Sequence, residues 1–189
     1  MNTHSLFSTP IWVSENSLPE GACEWALEYK RKNPNKLQIS NRGGYQSIQK
    51  PWQEFRYKNY IDQVLTNRFP SYEEFFVIGW WLNINGKGDY NLPHTHPRSD
   101  LSAIWYITDN EGSLHFHDPH AFTRDVLYER IFSKWGESPS KHIKCNAGTL
   151  LVFPSDLEHR VEEHLLDTPR ISVSFNLIAK YCHIHRITL

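Results

Sequence analysis

The sequence predicts a mainly β fold, a sandwich or barrel of the jelly-roll type, with two α-helices near its N-terminus. Aromatic residues, which favour strands, are abundant, with 7 Trp, 9 Tyr and 10 Phe in 189 residues. From Phe75 onward, about eight short segments with the pattern of strands are separated by turn residues. Both helical segments precede Phe75, so we expect the helices to cover one face of a β-rich core.

Residues 1–70 carry the N-terminal strand and the two helices of this prediction. The segment Leu6–Val13 has strand character, and a proline within it favours a sheet edge, because proline cannot donate to a central ladder. A capping-box pattern at Ser17–Glu20 predicts the start of the first helix, and Asn33-Pro34 predicts its end. The second helix is predicted from Pro51 to Phe69, with its apolar residues on one stripe.

Residues 71–189 are expected to form the β core, on which residues 1–70 pack, within a single domain over residues 1–189. The predicted strands are Phe75–Asn85, Leu101–Thr108, Ser113–His117, His142–Cys145, Thr149–Phe153, His159–His164 and Arg170–Ala179. Residues 118–140 form a long charged segment between two of these strands, and we expect it to be irregular. A loop of that length in a compact domain is more often functional than idle, so we interpret it as a lid.

Composition excludes several classes of function. The charge is nearly balanced, with 20 Lys and Arg against 21 Asp and Glu, so neither nucleic acid nor an anionic membrane is an expected partner. The 3 cysteines are widely spaced and form no CxxC pair, which argues against a disulfide scaffold and for a reducing compartment. No apolar stretch is long enough to span a membrane, and the N-terminus has no signal-peptide pattern. We therefore expect a cytoplasmic protein.

A histidine pair marks the predicted metal site. His94 and His96 are two positions apart in an extended segment, so their side chains share a face and can reach one metal ion. His159, on a later strand, supplies a third imidazole. Fe(II) sites that activate oxygen commonly use two histidines and a carboxylate, with positions left open for substrate and O₂. Here the third ligand is either His96, which the spacing favours, or Asp100 in the following loop.

Arg170 opens the last predicted strand and has a chemistry of its own. Its planar guanidinium matches a carboxylate bidentately, and Ser172 lies on the same strand face. We expect this pair to hold the distal carboxylate of a 2-oxoglutarate that chelates the metal through its keto-acid end. Tyr106 adds a phenol hydrogen bond, or else is a core aromatic. The alternative for Arg170 is a surface ion pair with Asp167.

The sequence resembles the 2OG-Fe(II) oxygenase family of bacterial and cyanophage proteins, a branch of the prolyl-hydroxylase-like superfamily. The segments that carry the resemblance are Leu6–Trp12, Ser40–Ser47, Trp81–Asn85, Tyr90–Pro97, Leu101–Tyr106, Gly148–Pro154 and Arg170–Asn176. The resemblance implies a double-stranded β-helix (jelly-roll, cupin-like) core and iron held by His94, His159 and either His96 or a nearby carboxylate. It also implies 2-oxoglutarate held by Arg170, with Tyr106 where prolyl hydroxylases have a cosubstrate-binding tyrosine. His96 departs from the usual carboxylate of the superfamily.

Together these observations predict an Fe(II)- and 2-oxoglutarate-dependent dioxygenase that hydroxylates a small-molecule or peptide substrate. One alternative is a three-histidine Fe(II) dioxygenase that binds its substrate directly to iron and needs no 2-oxoglutarate. Another is a non-catalytic jelly-roll binding module whose metal is absent or structural, for example zinc in a closed four-ligand site. The aromatic N-terminal strand offers a surface for a homodimer.

Overall fold

The computed structural model describes residues 8–110, 114–121, 125–135 and 138–180. Its strands are β1 Trp12–Ser14, β2 Asn41–Arg42, β3 Tyr45–Gln46, β4 Phe75–Asn85, β5 Tyr90–His94, β6 Leu101–Tyr106, β7 Leu114–His117, β8 Ser140–Ile143, β9 Leu150–Pro154, β10 His159–Val161 and β11 Arg170–Ala179. Its α-helices are α1 Ala22–Lys32, α2 Lys58–Arg68 and α3 Asp125–Arg130. Single 3₁₀ turns cover Trp52–Glu54, Tyr72–Glu74 and Phe132–Trp135.

The strands form two antiparallel sheets. The major sheet has the order β1-β9-β6-β11-β4-β3, and the minor sheet has the order β2-β5-β10-β7-β8. Consecutive strands alternate between the sheets from β4 to β7, as a jelly roll requires. The mainly β, jelly-roll prediction is thus confirmed. Residues 1–70 contribute strands to both sheets, because β1 and β3 lie in the major sheet and β2 lies in the minor sheet.

The two N-terminal helices cover the outer face of the major sheet, as predicted. Ala26 of α1 and Ile61 of α2 are fully buried in one apolar cluster with Trp80 of β4 and Phe175 of β11. Aromatic rings fill this layer, and the Phe55 and Trp80 ring centroids are 4.9 Å apart. Burying each large apolar side chain contributes about 1.5–3 kcal/mol, so this layer is the main source of stability.

The helix ends differ in part from their prediction. The predicted capping box at Ser17–Glu20 is wrong. Helix α1 begins after Gly21, which has a left-handed conformation with φ of 75°, and no side-chain hydrogen bond caps the helix. Its end is as predicted, since both the backbone N–H and the Nδ2 amide of Asn33 donate to the Tyr29 carbonyl. The second helix starts later than expected, because residues 52–54 form a 3₁₀ turn before α2.

Strand β1 and residues 118–140 differ in part from their predictions. β1 lies at an edge of the major sheet, as expected, but covers only Trp12–Ser14, and the predicted residues Leu6 and Phe7 lie outside the described ranges. The expectation that residues 118–140 are irregular is wrong in part, because α3 and a 3₁₀ turn lie within them. Within the described ranges, no helix is both long and apolar enough to cross a membrane.

Strict alternation along the strands of the major sheet creates the site. On β11, Ile171, Val173, Phe175 and Leu177 belong to the cluster beneath the helices, whereas Arg170, Ser172, Ser174 and Asn176 line a cavity between the sheets. Strand β4 repeats this arrangement, with Leu82 and Ile84 beneath the helices and Asn83 and Asn85 in the cavity. Successive side chains point to opposite faces of a strand, so the sequence pattern itself places a polar surface inside the jelly roll.

Candidate active site

The cavity between the two sheets has a volume of about 280 Å³ and contains every predicted site residue except Asp100. The three predicted metal-ligating histidines, His94, His96 and His159, line it from the minor sheet and the loop that follows β5. Arg170, Ser172 and Tyr106 line it from the major sheet. The fold therefore brings the two predicted groups of site residues into one space.

The three histidines converge on one point. Antiparallel pairing of β10 with β5 sets His159 directly opposite His94. Each imidazole offers a ligand nitrogen, and the three nitrogens lie within 4.8 Å of one another. The Nε2 atoms of His96 and His159 are 3.3 Å apart. In the part of the chain that the structure describes, no other histidine, cysteine or carboxylate joins this cluster.

Hydrogen bonds orient two of the rings for metal binding. The Nδ1 of His94 lies 2.7 Å from the Leu92 carbonyl, and the Nδ1 of His159 lies 2.9 Å from the Leu157 carbonyl. A carbonyl only accepts, so each Nδ1 must carry the proton, which leaves a lone pair on each Nε2. Metal-ligating histidines characteristically donate their other ring N–H in this way.

Electrostatics keep the imidazoles neutral. Burial and the neighbouring His94 lower the pKa of His96 to about 4. The same two causes lower the pKa of His159 to about 3. Burial also lowers the pKa of His94. All three side chains are therefore uncharged at neutral pH, which is the form that binds a metal.

The loop after β5 fixes His96 and turns Asp100 away. The His96 backbone N–H donates to the Ser155 carbonyl at 2.8 Å, and the His96 ring stacks on Trp81 with centroids 5.6 Å apart. The carboxylate of Asp100 accepts a 2.8 Å hydrogen bond from the backbone N–H of Ala179, at the end of β11. Asp100 is thus engaged in joining the loop to the major sheet and does not belong to the histidine cluster.

Arg170 is a buried cation that lacks an acidic partner. Its side chain is 5% exposed, and its Nη2 donates to the Glu162 carbonyl at 3.3 Å. Burial lowers the pKa of Arg170, yet a guanidinium stays protonated in a protein. Among the described residues no carboxylate forms a salt bridge with it, although the Asp89 carboxylate is close enough to raise its pKa. Asp167, its alternative partner, pairs with Lys87 instead. Arg170 lines the cavity, and among the described residues no aspartate or glutamate lines it.

Ser172 and Tyr106 lie beside each other near Arg170. They are paired across β11 and β6, and both line the cavity. Burial raises the pKa of the Tyr106 phenol, so the phenol is protonated and can donate a hydrogen bond. The arrangement offers an incoming carboxylate a guanidinium, a hydroxyl and a phenol on one wall.

Two buried residues with amide side chains, which were not among the predicted site residues, also line the cavity. Asn85 is 6% exposed, lies opposite Arg170 in the β4–β11 register, and its Nδ2 has no hydrogen-bond partner within the described structure. Gln46 of β3 is 8% exposed, and its side chain likewise forms no hydrogen bond there. The alternation Leu-Asn-Ile-Asn at residues 82–85 was the available pattern, because an amide on every second position of an otherwise apolar strand predicts a polar face.

The fold and the site together define a jelly-roll metalloprotein, and comparison with known proteins gives the family. The family model described as "Putative 2OG-Fe(II) oxygenase" matches residues 79–176. This match covers more than half of the 189 residues, and the chain belongs to that family. The predicted 2OG-Fe(II) oxygenase family, and with it an oxygenase that uses Fe(II) and 2-oxoglutarate, is confirmed. Its bacterial and cyanophage branch stays a prediction. No curated protein sequence matches the chain.

Solved structures of low sequence identity share the fold. The non-haem α-ketoglutarate-dependent carbocyclase SnoK from nogalamycin biosynthesis is 14% identical, with a TM-score of 0.62 over 90% of this chain and 80% of that one. HygX from Streptomyces hygroscopicus, with nickel and 2-oxoglutarate bound, is 10% identical, with a TM-score of 0.61 over 92% and 84%. A Pseudomonas putida prolyl-4-hydroxylase is 15% identical, with a TM-score of 0.60 over 91% and 94%.

Proposed function

We propose that this oxygenase binds Fe(II) through His94, His96 and His159 and hydroxylates a C–H bond of its substrate. The observation that carries the proposal is that three neutral imidazoles and an unpaired buried guanidinium share one cavity. In the overall reaction, substrate, O₂ and 2-oxoglutarate give the hydroxylated product, succinate and CO₂. Bound iron supplies the activation of O₂, which side chains do not provide.

Three histidine ligands would leave positions on a bound Fe(II) for a chelating cosubstrate. They would also leave its 2+ charge uncompensated, because all three imidazoles are neutral at neutral pH. A 2-oxoglutarate dianion would bring two negative charges, one for the metal and one for the far wall. The all-histidine site is therefore electrostatically suited to this dianion.

The far wall fits the distal carboxylate. Arg170 supplies the cation, and Ser172 and Tyr106 supply hydroxyl donors from neighbouring positions of β11 and β6. An isolated buried charge is costly, so a carboxylate arriving at Arg170 removes an existing penalty as well as adding hydrogen bonds. The unpartnered Nδ2 of Asn85, opposite Arg170, is a further donor for the cosubstrate.

Two apolar rings pack against His159. The Phe153 ring packs edge-on against His159, with centroids 4.9 Å apart, and the Phe116 ring centroid lies 5.9 Å from that of His159. These contacts help fix the orientation of the His159 imidazole, whose residue is buried, whereas His94 and His96 are half-buried.

The all-histidine donor set also suits a dioxygenase that binds its substrate directly to iron and needs no keto acid. In that case the anion at Arg170 is a carboxylate of the substrate itself. A structural zinc site fits less well, because such a site has four protein ligands and this cluster, among the described residues, has three.

The test is anaerobic titration of the Fe(II)-loaded protein with 2-oxoglutarate, recording the visible charge-transfer band of a chelated keto acid. We expect the band in the wild type and in Arg170→Lys at higher 2-oxoglutarate. In Arg170→Ala, we expect at least about a 30-fold weaker apparent affinity, because truncating one partner of a buried charge pair costs about 2–5 kcal/mol.

The outcomes separate the candidates. Iron binding without a band in the wild type would favour direct substrate binding by a three-histidine dioxygenase. Absence of iron binding would leave a non-catalytic module. Lys87→Ala is the matched control, since this cation forms an exposed ion pair with Asp167 away from the cavity, and the band should be unchanged.

A further inference from the structure

Among the described residues, the basic side chains that line the cavity are Arg170 and the three histidines. No aspartate, glutamate or lysine of the described ranges lines it. If 2-oxoglutarate occupies Arg170, as the proposed function requires, nothing remains to pair with a charged substrate group. Burying an unpaired charge is strongly unfavourable, so the part of the substrate that enters must be uncharged.

Two apolar residues of the cavity lining, Leu37 and Ile39, are exposed, and Ile39 is 67% exposed. Thr95 and Gln49 are polar exposed residues of the same lining. The Leu37 backbone N–H donates to the Gln46 carbonyl at 2.9 Å, so the segment 37–39 runs along β3 at the edge of the major sheet. A substrate with an apolar portion next to its reacting group would contact this segment.

The Gln46 side chain lines the cavity and forms no hydrogen bond within the described residues. Its neighbour Tyr45 belongs to the cluster beneath the helices, so alternation directs Gln46 into the cavity. Its register partner on β4, Asn83, is already engaged, since the Asn83 Nδ2 donates to Ser174 Oγ at 3.0 Å. The Gln46 carboxamide therefore keeps both its donors and its acceptor available, although the residue is only 8% exposed.

We propose that Gln46 determines substrate specificity by pairing with an uncharged amide of the substrate, either a peptide bond or a primary carboxamide. The Gln46 carboxamide has a donor and an acceptor on adjacent atoms, and a substrate amide can hydrogen-bond to both at the same time. The Gln46 carboxamide lines the cavity, so a substrate amide that enters the cavity can pair with it. This inference rests on the proposed function for the assignment of Arg170 to the cosubstrate.

The experiment uses three probes with one branched carbon skeleton: isovaleramide, isovalerate and isoamylamine. Binding to the Zn(II)-substituted protein with 2-oxoglutarate is measured by saturation-transfer NMR. We expect isovaleramide to bind and the anion and cation to bind at least about tenfold more weakly. N-Acetyl-leucine N′-methylamide is a second neutral probe, and tighter binding of either neutral probe supports the proposal and identifies the source of the amide.

Variants of Gln46 provide the decisive comparison. Gln46→Leu should weaken amide binding about tenfold, because two hydrogen bonds to the substrate amide are lost, and should leave Tm nearly unchanged, because the Gln46 side chain forms no hydrogen bond within the described residues. Gln46→Glu should weaken the amide and improve isoamylamine. Gln49→Ala is the matched control, since Gln49 also lines the cavity but is exposed and its Nε2 lies 3.5 Å from the Ile78 carbonyl.

Equal amide binding by the wild type and Gln46→Leu, or preferential binding of isovalerate, would overturn the proposal. Failure of the proposed function is seen separately, as absence of the keto-acid charge-transfer band in the wild-type Fe(II) protein. Gln46 variants should retain that band with unchanged 2-oxoglutarate affinity.

Discussion

The two faces of the major sheet have the same backbone and opposite chemistry. On the helix side, the β11 residues Ile171, Val173, Phe175 and Leu177 are at most 1% exposed and pack into a layer of aromatic rings. On the cavity side, the alternate residues of the same strand are polar: Arg170, Ser172, Ser174 and Asn176. One strand thus contributes to stability with every second residue and to the site with the others.

Buried residues on the two faces of the major sheet have different kinds of partner. Phe175 and Arg170 are both almost inaccessible, at 0% and 5% exposed. The phenylalanine packs among apolar partners, whereas the guanidinium lines a cavity to which the described residues contribute no carboxylate. Buried polar groups normally have partners inside the protein, so the cavity face is arranged for partners that bind from outside.

The largest expected effect on stability comes from the helix side. Phe175→Ala should lower the free energy of unfolding by about 3–5 kcal/mol, because the Phe175 ring, whose centroid lies 4.9 Å from that of Trp52, would leave a void under the helices. Urea denaturation measures this loss. Ser174→Ala, at the neighbouring position on the cavity side, should lower the free energy of unfolding by only about 1 kcal/mol, because it removes one hydrogen bond, from Asn83. Equal losses would contradict the division between the faces.

The next effect concerns the metal and leaves the helix side untouched. His96→Ala should weaken Fe(II) binding by more than about 100-fold, which exceeds the effect of losing an outer-sphere partner of a metal site. Asp100→Asn should bind Fe(II) like the wild type, because the Asp100 carboxylate accepts from the Ala179 N–H rather than facing the histidines. Anaerobic equilibrium dialysis measures both affinities. Loss of iron in Asp100→Asn with retention in His96→Ala would reverse the assignment of the third ligand.

The long strands were predictable because their patterns are long. β4 and β11 occur with the predicted bounds Phe75–Asn85 and Arg170–Ala179. Residues 125–130 were expected to be irregular, because a helix of 6 residues is shorter than the window of about 11–18 residues in which helical periodicity is recognised. The start of α1 was misplaced because the Ser17–Glu20 pattern is only a local preference, and Gly21 reaches the required turn conformation without a side-chain cap.

The site was predictable as far as single residues declare their chemistry. The spacing of His94 and His96 predicted a shared face, and the structure adds that strand pairing sets His159 opposite His94. Asn85 and Gln46 were missed, because an amide is compatible with a surface as well as with a cavity. Their importance depends on which face of β3 and β4 is enclosed, and only the packing of the two sheets determines that.

Protonation gives the third prediction, for the metal-free protein. The pKa values of His96 and His159 are lowered to about 4 and about 3, so both stay neutral in the folded state at pH values where the unfolded chain binds protons. Stability should therefore be greatest above about pH 6.5, the pKa of an unperturbed histidine, and fall below it by about 1.4 kcal/mol per pH unit for each histidine.

Urea denaturation between pH 7 and pH 5 measures this dependence. His159→Asn should show a shallower slope, since it retains a neutral polar side chain and cannot titrate. If His159→Asn and the wild type lost stability equally in acid, groups outside the histidine cluster would be responsible for the pH dependence.

The smallest expected effect is on the cavity side, at Ser172. Its hydroxyl lies on the wall shared with Tyr106 and Arg170 and forms no hydrogen bond within the described residues. Ser172→Ala should weaken 2-oxoglutarate about tenfold, because one hydrogen bond to a charged group contributes about 1.5 kcal/mol or more. The charge-transfer titration should show this change with the same absorption maximum, since the chelated end of the keto acid is unaffected. Unfolding free energy should not change, because the hydroxyl stabilises no other part of the protein. An unchanged 2-oxoglutarate affinity would mean that Arg170 and Tyr106 alone hold the distal carboxylate, and a loss of stability instead would place Ser172 with the residues that hold the sheet together.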